Sequence, residues 1–138
     1  MSVFSLYNKG LTSLVGMVPE GVEIVWCNNN ELTSLKGLPK GVRKVNCRNN
    51  KLTSLEGLPD SVREVRCGNN KLTSLEGLPE GVKVIECREN PYLTSLEGLP
   101  EGVEYINCND TPIYIQALLQ GRLDGPHRGL VEIIKYIK

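Results

Sequence analysis

The sequence predicts an α/β solenoid: short parallel strands stacked coil on coil along one axis, closed at the C-terminal end by helices. Three observations predict it. The motif Leu-Thr-Ser-Leu recurs at Leu11, Leu32, Leu52, Leu72 and Leu93, so a unit of about 20 residues repeats along most of the chain, and a fixed period of that size marks stacked supersecondary units. Apolar residues recur in register within each unit, the third placing Val62, Val65, Cys67, Leu72, Leu75 and Leu78 at the same steps as its neighbours. After Thr111 the period stops, and Leu130, Ile133, Ile134 and Ile137 instead follow the spacing of one helical face.

A partial unit opens the array, with Val3, Phe4 and Leu6 as its strand, Leu6 at the position later held by cysteine, and Lys9 where later units carry asparagine. In the units that follow, a strand should centre on the second valine and the cysteine. Alternate residues share a face, so Val25, Val45, Val65, Ile85 and Ile106 point inward, as do Cys27, Cys47, Cys67, Cys87 and Cys108. Asn30, Asn50, Asn70 and Asn90 sit where the strand turns away, and each side chain can bond backbone groups that the bend would leave unpaired. Gly-Leu-Pro then returns the chain in extended form, because proline opposes a convex helix. Ser61 replaces the glycine found at Gly21, Gly41, Gly81 and Gly102, so that position should not require a positive φ in every unit. One residue is added in Gly16-Met17-Val18-Pro19 and another near Pro91-Tyr92.

At the far end, Thr111 before Pro112 is a helix-start signal with Gly121 as a stop, and a second helix should follow Gly125-Pro126. The expected organisation is one domain over 1–138, with repeats in 1–111 and a helical cap in 112–138 covering the core of the last coil. The first strand has no evident cap, and an open strand edge can pair with another copy. A weak homodimer through Met1 to Tyr7 is therefore one expectation.

Composition narrows the function. Lysine plus arginine and aspartate plus glutamate are 16 each, for a net charge of zero, whereas nucleic-acid binders usually carry a basic excess. No apolar run is long enough to span a bilayer, and no charged segment followed by an apolar stretch marks export, so no membrane association is expected. The five cysteines are odd in number and all at one repeat position. A disulfide framework favours an even count, and zinc favours paired Cys-x-x-Cys, which is absent. Equivalent small thiols suit packing in a reducing cytoplasm. No metal or cofactor is expected. Catalysis would need Cys108 and the single histidine, His127, to meet across the cap, with nothing to orient the pair. No catalytic residue is assigned.

Aligned on the cysteines, each unit reads Val-x-x-Val-x-Cys-x-x-Asn-x-Leu-Thr-Ser-Leu-x-Gly-Leu-Pro. This matches the leucine-rich-repeat pattern L-x-x-L-x-L-x-x-N-x-L, with valine and cysteine at strand positions where leucine is commoner. From Val3 to Cys108 the chain resembles the bacterial LPX subclass, known from effector proteins that pathogens deliver into host cells. The wording from Leu52 to Gly57 and the repeated cysteine are more similar still to arrays encoded by phages and large DNA viruses. The resemblance implies a protein-binding solenoid, with a host protein as the partner if the chain is viral or an effector. Some such effectors carry a ubiquitin-ligase domain after the repeats, for which residues 112–138 have no length.

In a solenoid of this kind the strands line the concave side, and binding identity should lie where units differ. Before the second valine stand Val3, Ile24, Lys44, Glu64, Val84 and Tyr105; after it, Ser5, Trp26, Asn46, Arg66, Glu86 and Asn107; after the cysteine, Tyr7, Asn28, Arg48, Gly68, Arg88 and Asn109. Tyr7, Ile24 and Trp26 form an aromatic corner. Lys44, Arg48, Arg66 and Arg88, interleaved with Glu64 and Glu86, form a charged centre, Asn46 joins them as a candidate partner-binding residue, and Val84 with Tyr105 adds a second apolar patch. Exposed tryptophan and arginine are common interface anchors, so the expectation is a non-catalytic module that takes a protein partner on this face. Two alternatives stand beside it. Lys44, Arg48, Arg66 and Arg88 could follow a phosphate backbone with Trp26 or Tyr105 stacking on bases, although Glu64 and Glu86 oppose it. The array could also self-assemble through its first strand. Whether the charged row is an acid-binding groove or merely pairs with itself is open at this level.

Overall fold

The computed structural model describes residues 2–114. Each coil contributes one strand of three residues: β1 (Val3–Ser5), β2 (Ile24–Trp26), β3 (Lys44–Asn46), β4 (Glu64–Arg66), β5 (Val84–Glu86) and β6 (Tyr105–Asn107). They form one parallel sheet in sequence order, as a repeat solenoid requires. Register pairs Phe4, Val25, Val45, Val65, Ile85 and Ile106 in one row, with the two variable columns on either side of it. The strands are narrower than expected. Each is centred on the second valine alone, and the cysteine lies one residue beyond its end, where the backbone already begins to turn.

The core runs through the coils as a continuous stack. Val25, Val65 and Ile85 are fully buried, as are Leu32, Leu52, Leu72 and Leu93, and all five cysteines are buried beside them. Burying a leucine side chain contributes on the order of 2 kcal/mol, so the repeated leucines are the main source of cohesion. The return segments are turns without helix. Register steps by 20 residues between inner coils but by 21 from Val3 to Ile24 and from Val84 to Tyr105. The two added residues are therefore taken up in the return segments, and the strands remain aligned.

Two asparagine ladders hold the bends. In the first, Asn70 Nδ2 donates to the carbonyls of Cys47, Cys67 and Gly68 at 3.0–3.1 Å, while its Oδ1 accepts the Leu52 N–H at 3.0 Å. Asn50 and Asn90 repeat this arrangement, and Asn30 does so against Leu6 and Leu11. The second ladder was not anticipated. Asn8, Asn29, Asn49, Asn69, Glu89 and Asp110, two residues after the cysteine position, all have φ between +53° and +59°. Asparagine tolerates this left-handed conformation better than most residues. Its amides also join coil to coil, from Asn49 Nδ2 to Asn29 Oδ1 and from Asn69 Nδ2 to Asn49 Oδ1, both at 2.6 Å.

The turns of the return segments approach closely at one glycine column. A Cβ on Gly77 would lie 2.5 Å from the backbone of Leu55 and Glu56 in the preceding coil, and Gly77 has φ +99°. The other glycine column is less demanding. Gly21 and Gly41 are left-handed, but Ser61, Gly81 and Gly102 are not, as the serine substitution suggested. Ser61 Oγ donates to the Val42 carbonyl at 2.7 Å.

At the end of the array Thr111 takes the place of asparagine. Its Oγ1 donates to the Cys108 carbonyl at 2.7 Å and accepts the Tyr114 N–H at 3.2 Å, and residues 112–114 are helical. This is an N-cap, with Pro112 at the first helical position. The expected stop at Gly121, the second helix and His127 lie outside the described residues.

Candidate functional site

The strand columns display a sheet face of uneven character. Three-residue strands with a buried central valine leave both flanking side chains to solvent or to one another, so the face inherits whatever the repeat does not conserve. Trp26 projects from β2 and is 48% exposed. Its row in the register continues with Asn46 and Arg66, and the adjacent row runs Ile24, Lys44, Glu64. Asn46 is shorter than the indole and guanidinium that flank it. A hollow of about 340 Å³ results, lined by Ile24, Trp26, Lys44, Val45, Asn46, Glu64 and Arg66.

Charge inside this hollow is organised around Glu64. Its carboxylate lies 3.2 Å from Nε of Arg66 and 4.0 Å from Nζ of Lys44. The second charged group lies one strand further on. Arg48 reaches past Gly68 to Glu86, with Nη1 to Oε1 at 3.5 Å. The crossing passes directly over Gly68: a Cβ there would lie in van der Waals contact with it, 3.4 Å from Arg48 Nε and 3.7 Å from Glu86 Oε1, so only a small residue leaves the path open. The charged row is thus largely self-paired, but not entirely. Four basic groups (Lys44, Arg48, Arg66, Arg88) face two acidic ones (Glu64, Glu86), which leaves a surplus of two positive charges on a chain whose total is zero. Arg88 has no carboxylate within ion-pair distance among the described residues.

The ten candidate residues divide accordingly. Ile24, Trp26, Lys44, Asn46 and Arg66 line one hollow together with Val45 and Glu64. Arg48 and Arg88 flank Gly68 in the column after the cysteine. Tyr7, 49% exposed, stands apart on the first coil, and Val84 and Tyr105 are register neighbours at the other end. Asn107, placed by its column among outward positions, is buried, and its Oδ1 accepts the Asn109 N–H at 3.1 Å. Sequence reasoning passed over Gly68, across which Arg48 reaches Glu86; its departure from the other members of its column was the available signal.

The cysteines are set for packing. Burial pushes the Cys27 thiol up to about 12 and the Cys108 thiol to about 11. Burial likewise raises Cys47, Cys67 and Cys87 well above the ordinary 9.0, with neighbouring cysteines adding to the effect. A thiol so raised is a poor nucleophile near neutral pH. Among the described residues no group of three or more His, Cys, Asp or Glu could hold a metal ion, and no helix is long and apolar enough to cross a membrane. No protein-family model matches the chain, and no curated protein matches it in sequence.

Proposed function

We propose that the chain is a non-catalytic interaction module of the leucine-rich-repeat kind, which takes an extended protein segment on its concave face. One observation carries this reading: the variable residues of neighbouring coils converge on a hollow with an indole wall, an apolar floor at Val45 and a charged rim. Tryptophan and arginine beside one another are the commonest energetic anchors of protein interfaces, and such anchors work best in a cleft that excludes water. The resemblance to viral and effector arrays suggests a host protein as partner. Glu64 and Glu86 stand among the basic residues and would repel a phosphate backbone, so a polypeptide suits the face better than nucleic acid.

The test is selection of random heptapeptides displayed on phage against the immobilised protein and against a Trp26→Ala/Arg66→Glu variant. Recovery of a common peptide family on the parent protein, lost on the variant, is the expected result. Equal recovery on both would refute the assignment of the concave face.

A further inference from the structure

Next to the hollow lies a second cluster whose hydrogen bonds the 3.5 Å ion pair between Arg48 Nη1 and Glu86 Oε1 does not complete. Arg48 Nε, Glu86 Oε1, Arg88 Nε and Asn109 Oδ1 are all buried from solvent, and none has a hydrogen-bond partner. They lie along one column of the sheet face, which runs from Arg48 past Gly68 to Arg88 and Asn109, with Glu86 reaching in beside it. Arg48 Nε and Glu86 Oε1 lie directly over that glycine, and Arg88 and Asn109 follow it in the same column. Buried polar atoms are rarely left unpaired, and an unmade bond to such a group costs about 1–3 kcal/mol. Four along one column of the sheet face mark a position prepared for a polar group from outside.

The chemistry of the four atoms selects that group. Two are N–H donors on arginines, and two are oxygen acceptors. The cluster holds two positive charges and one negative, a surplus of one. A phosphate chain would satisfy the donors only and would leave the oxygen acceptors of Glu86 and Asn109 unmet. An extended peptide supplies both halves: a carboxylate side chain for the two Nε–H groups, and main-chain N–H groups for Glu86 and Asn109.

We infer that the saddle over Gly68 is a carboxylate subsite, where Arg48 and Arg88 receive an aspartate or glutamate of the segment whose apolar side chain fills the Trp26 hollow. This rests on the proposed function and adds the partner's chemistry to it. The spacing follows from the sheet. Gly68 lies one strand over from Asn46 and two residues further along, and steps of about 4.8 Å and 3.3 Å put the two subsites roughly 8 Å apart. In an extended peptide, side chains two residues apart on one face are separated by about 7 Å. The segment should therefore carry an aromatic or large aliphatic residue, one intervening residue, then an acid, in either chain direction.

The heptapeptide selection distinguishes the two layers of this reading. The expected outcome on the parent protein is a family in which an apolar and an acidic residue stand two apart. A synthetic member of that family is then titrated into the protein, with the fluorescence of Trp26, the single tryptophan of the chain, as readout. Exchanging its acid for the corresponding amide, or Arg88→Gln in the protein, should each weaken binding about tenfold. The two changes together should weaken it little more than either alone, because both break one contact. A Gly68→Val variant, which fills the saddle, should reproduce the loss. Enriched peptides without an acid, or affinity indifferent to Arg88→Gln and Gly68→Val, overturn the subsite while leaving the hollow standing. No enrichment at all overturns both. Tight binding of a twenty-nucleotide oligothymidine that is lost in Arg88→Gln would assign the cluster to phosphate instead.

Discussion

Five thiols buried in one column make the fold sensitive to alkali. In the unfolded chain each cysteine ionises near 9.0, whereas in the coils burial holds every one of them higher, to about 12 for Cys27 and about 11 for Cys108. The sign follows from proton counts. Below pH 9 both states keep the thiol proton, and stability is unaffected. Above it the unfolded chain releases protons that the folded chain retains, so stability falls as pH rises towards the folded values. Each thiol then costs about 1.4 kcal/mol per pH unit, and five together about 7 kcal/mol at pH 10. A domain of this size has on the order of 5–15 kcal/mol in all. The urea midpoint, followed by far-ultraviolet circular dichroism between pH 7 and 10.5, should therefore be flat to about pH 8.5 and then collapse. A variant with all five cysteines replaced by alanine serves as control: weaker at neutral pH because of the cavities left, but with a much shallower alkaline limb. If the parent and this variant lose stability in parallel above pH 9, the thiols are not buried as described and the reasoning fails.

Two further outcomes test the coil geometry. Gly77→Ala should cost at least about 2 kcal/mol more than Gly21→Ala, measured by urea denaturation. Both positions have positive φ, but only at Gly77 does the new methyl meet the backbone of the preceding coil; equal losses would show that stacking distance is not the constraint. Glu89→Asn should raise stability by about 0.5–1 kcal/mol, because Glu89 occupies a left-handed position at φ +55° that asparagine adopts at lower cost. A neutral or destabilising result would mean that the Glu89 side chain is itself in use.

The columns of the sheet could be read from the sequence because two periods coincide: side chains alternate along a strand, and coils repeat every 20 residues. Val25 and its equivalents, the leucines and the Asn30 series were placed correctly by that argument, since each contact lies between identical positions of adjacent coils. What the periods do not carry is contact between different columns. Arg48 pairs with Glu86 two coils away across Gly68, and no repeat statistic contains that diagonal. The Asn29, Asn49 and Asn69 ladder escaped for another reason. In a run such as Asn49-Asn50 the second residue already had a role, and the need of the first for positive φ became evident only with the backbone. The constraint on Gly77 is similar: its recurrence was visible, but the cause is the distance between coils, which a one-dimensional pattern does not measure.

The asparagine ladder also gives the array a direction. Asn50 completes the carbonyl of Cys27 and the N–H of Leu32, both in the coil before its own, and Asn70 does the same for Cys47 and Leu52. Every coil is thus finished by its successor and left open by its own residues. A chain built this way has no natural last member, since adding a unit only passes the debt along. The ladder ends at Thr111. With one hydroxyl in place of an amide it closes its own coil at Cys108, reaches no further back, and turns its remaining lone pair to the Tyr114 N–H. A further coil placed after Thr111 would find no amide there to reach back to the carbonyl of Cys87, whereas one inserted ahead of it would keep the ladder continuous.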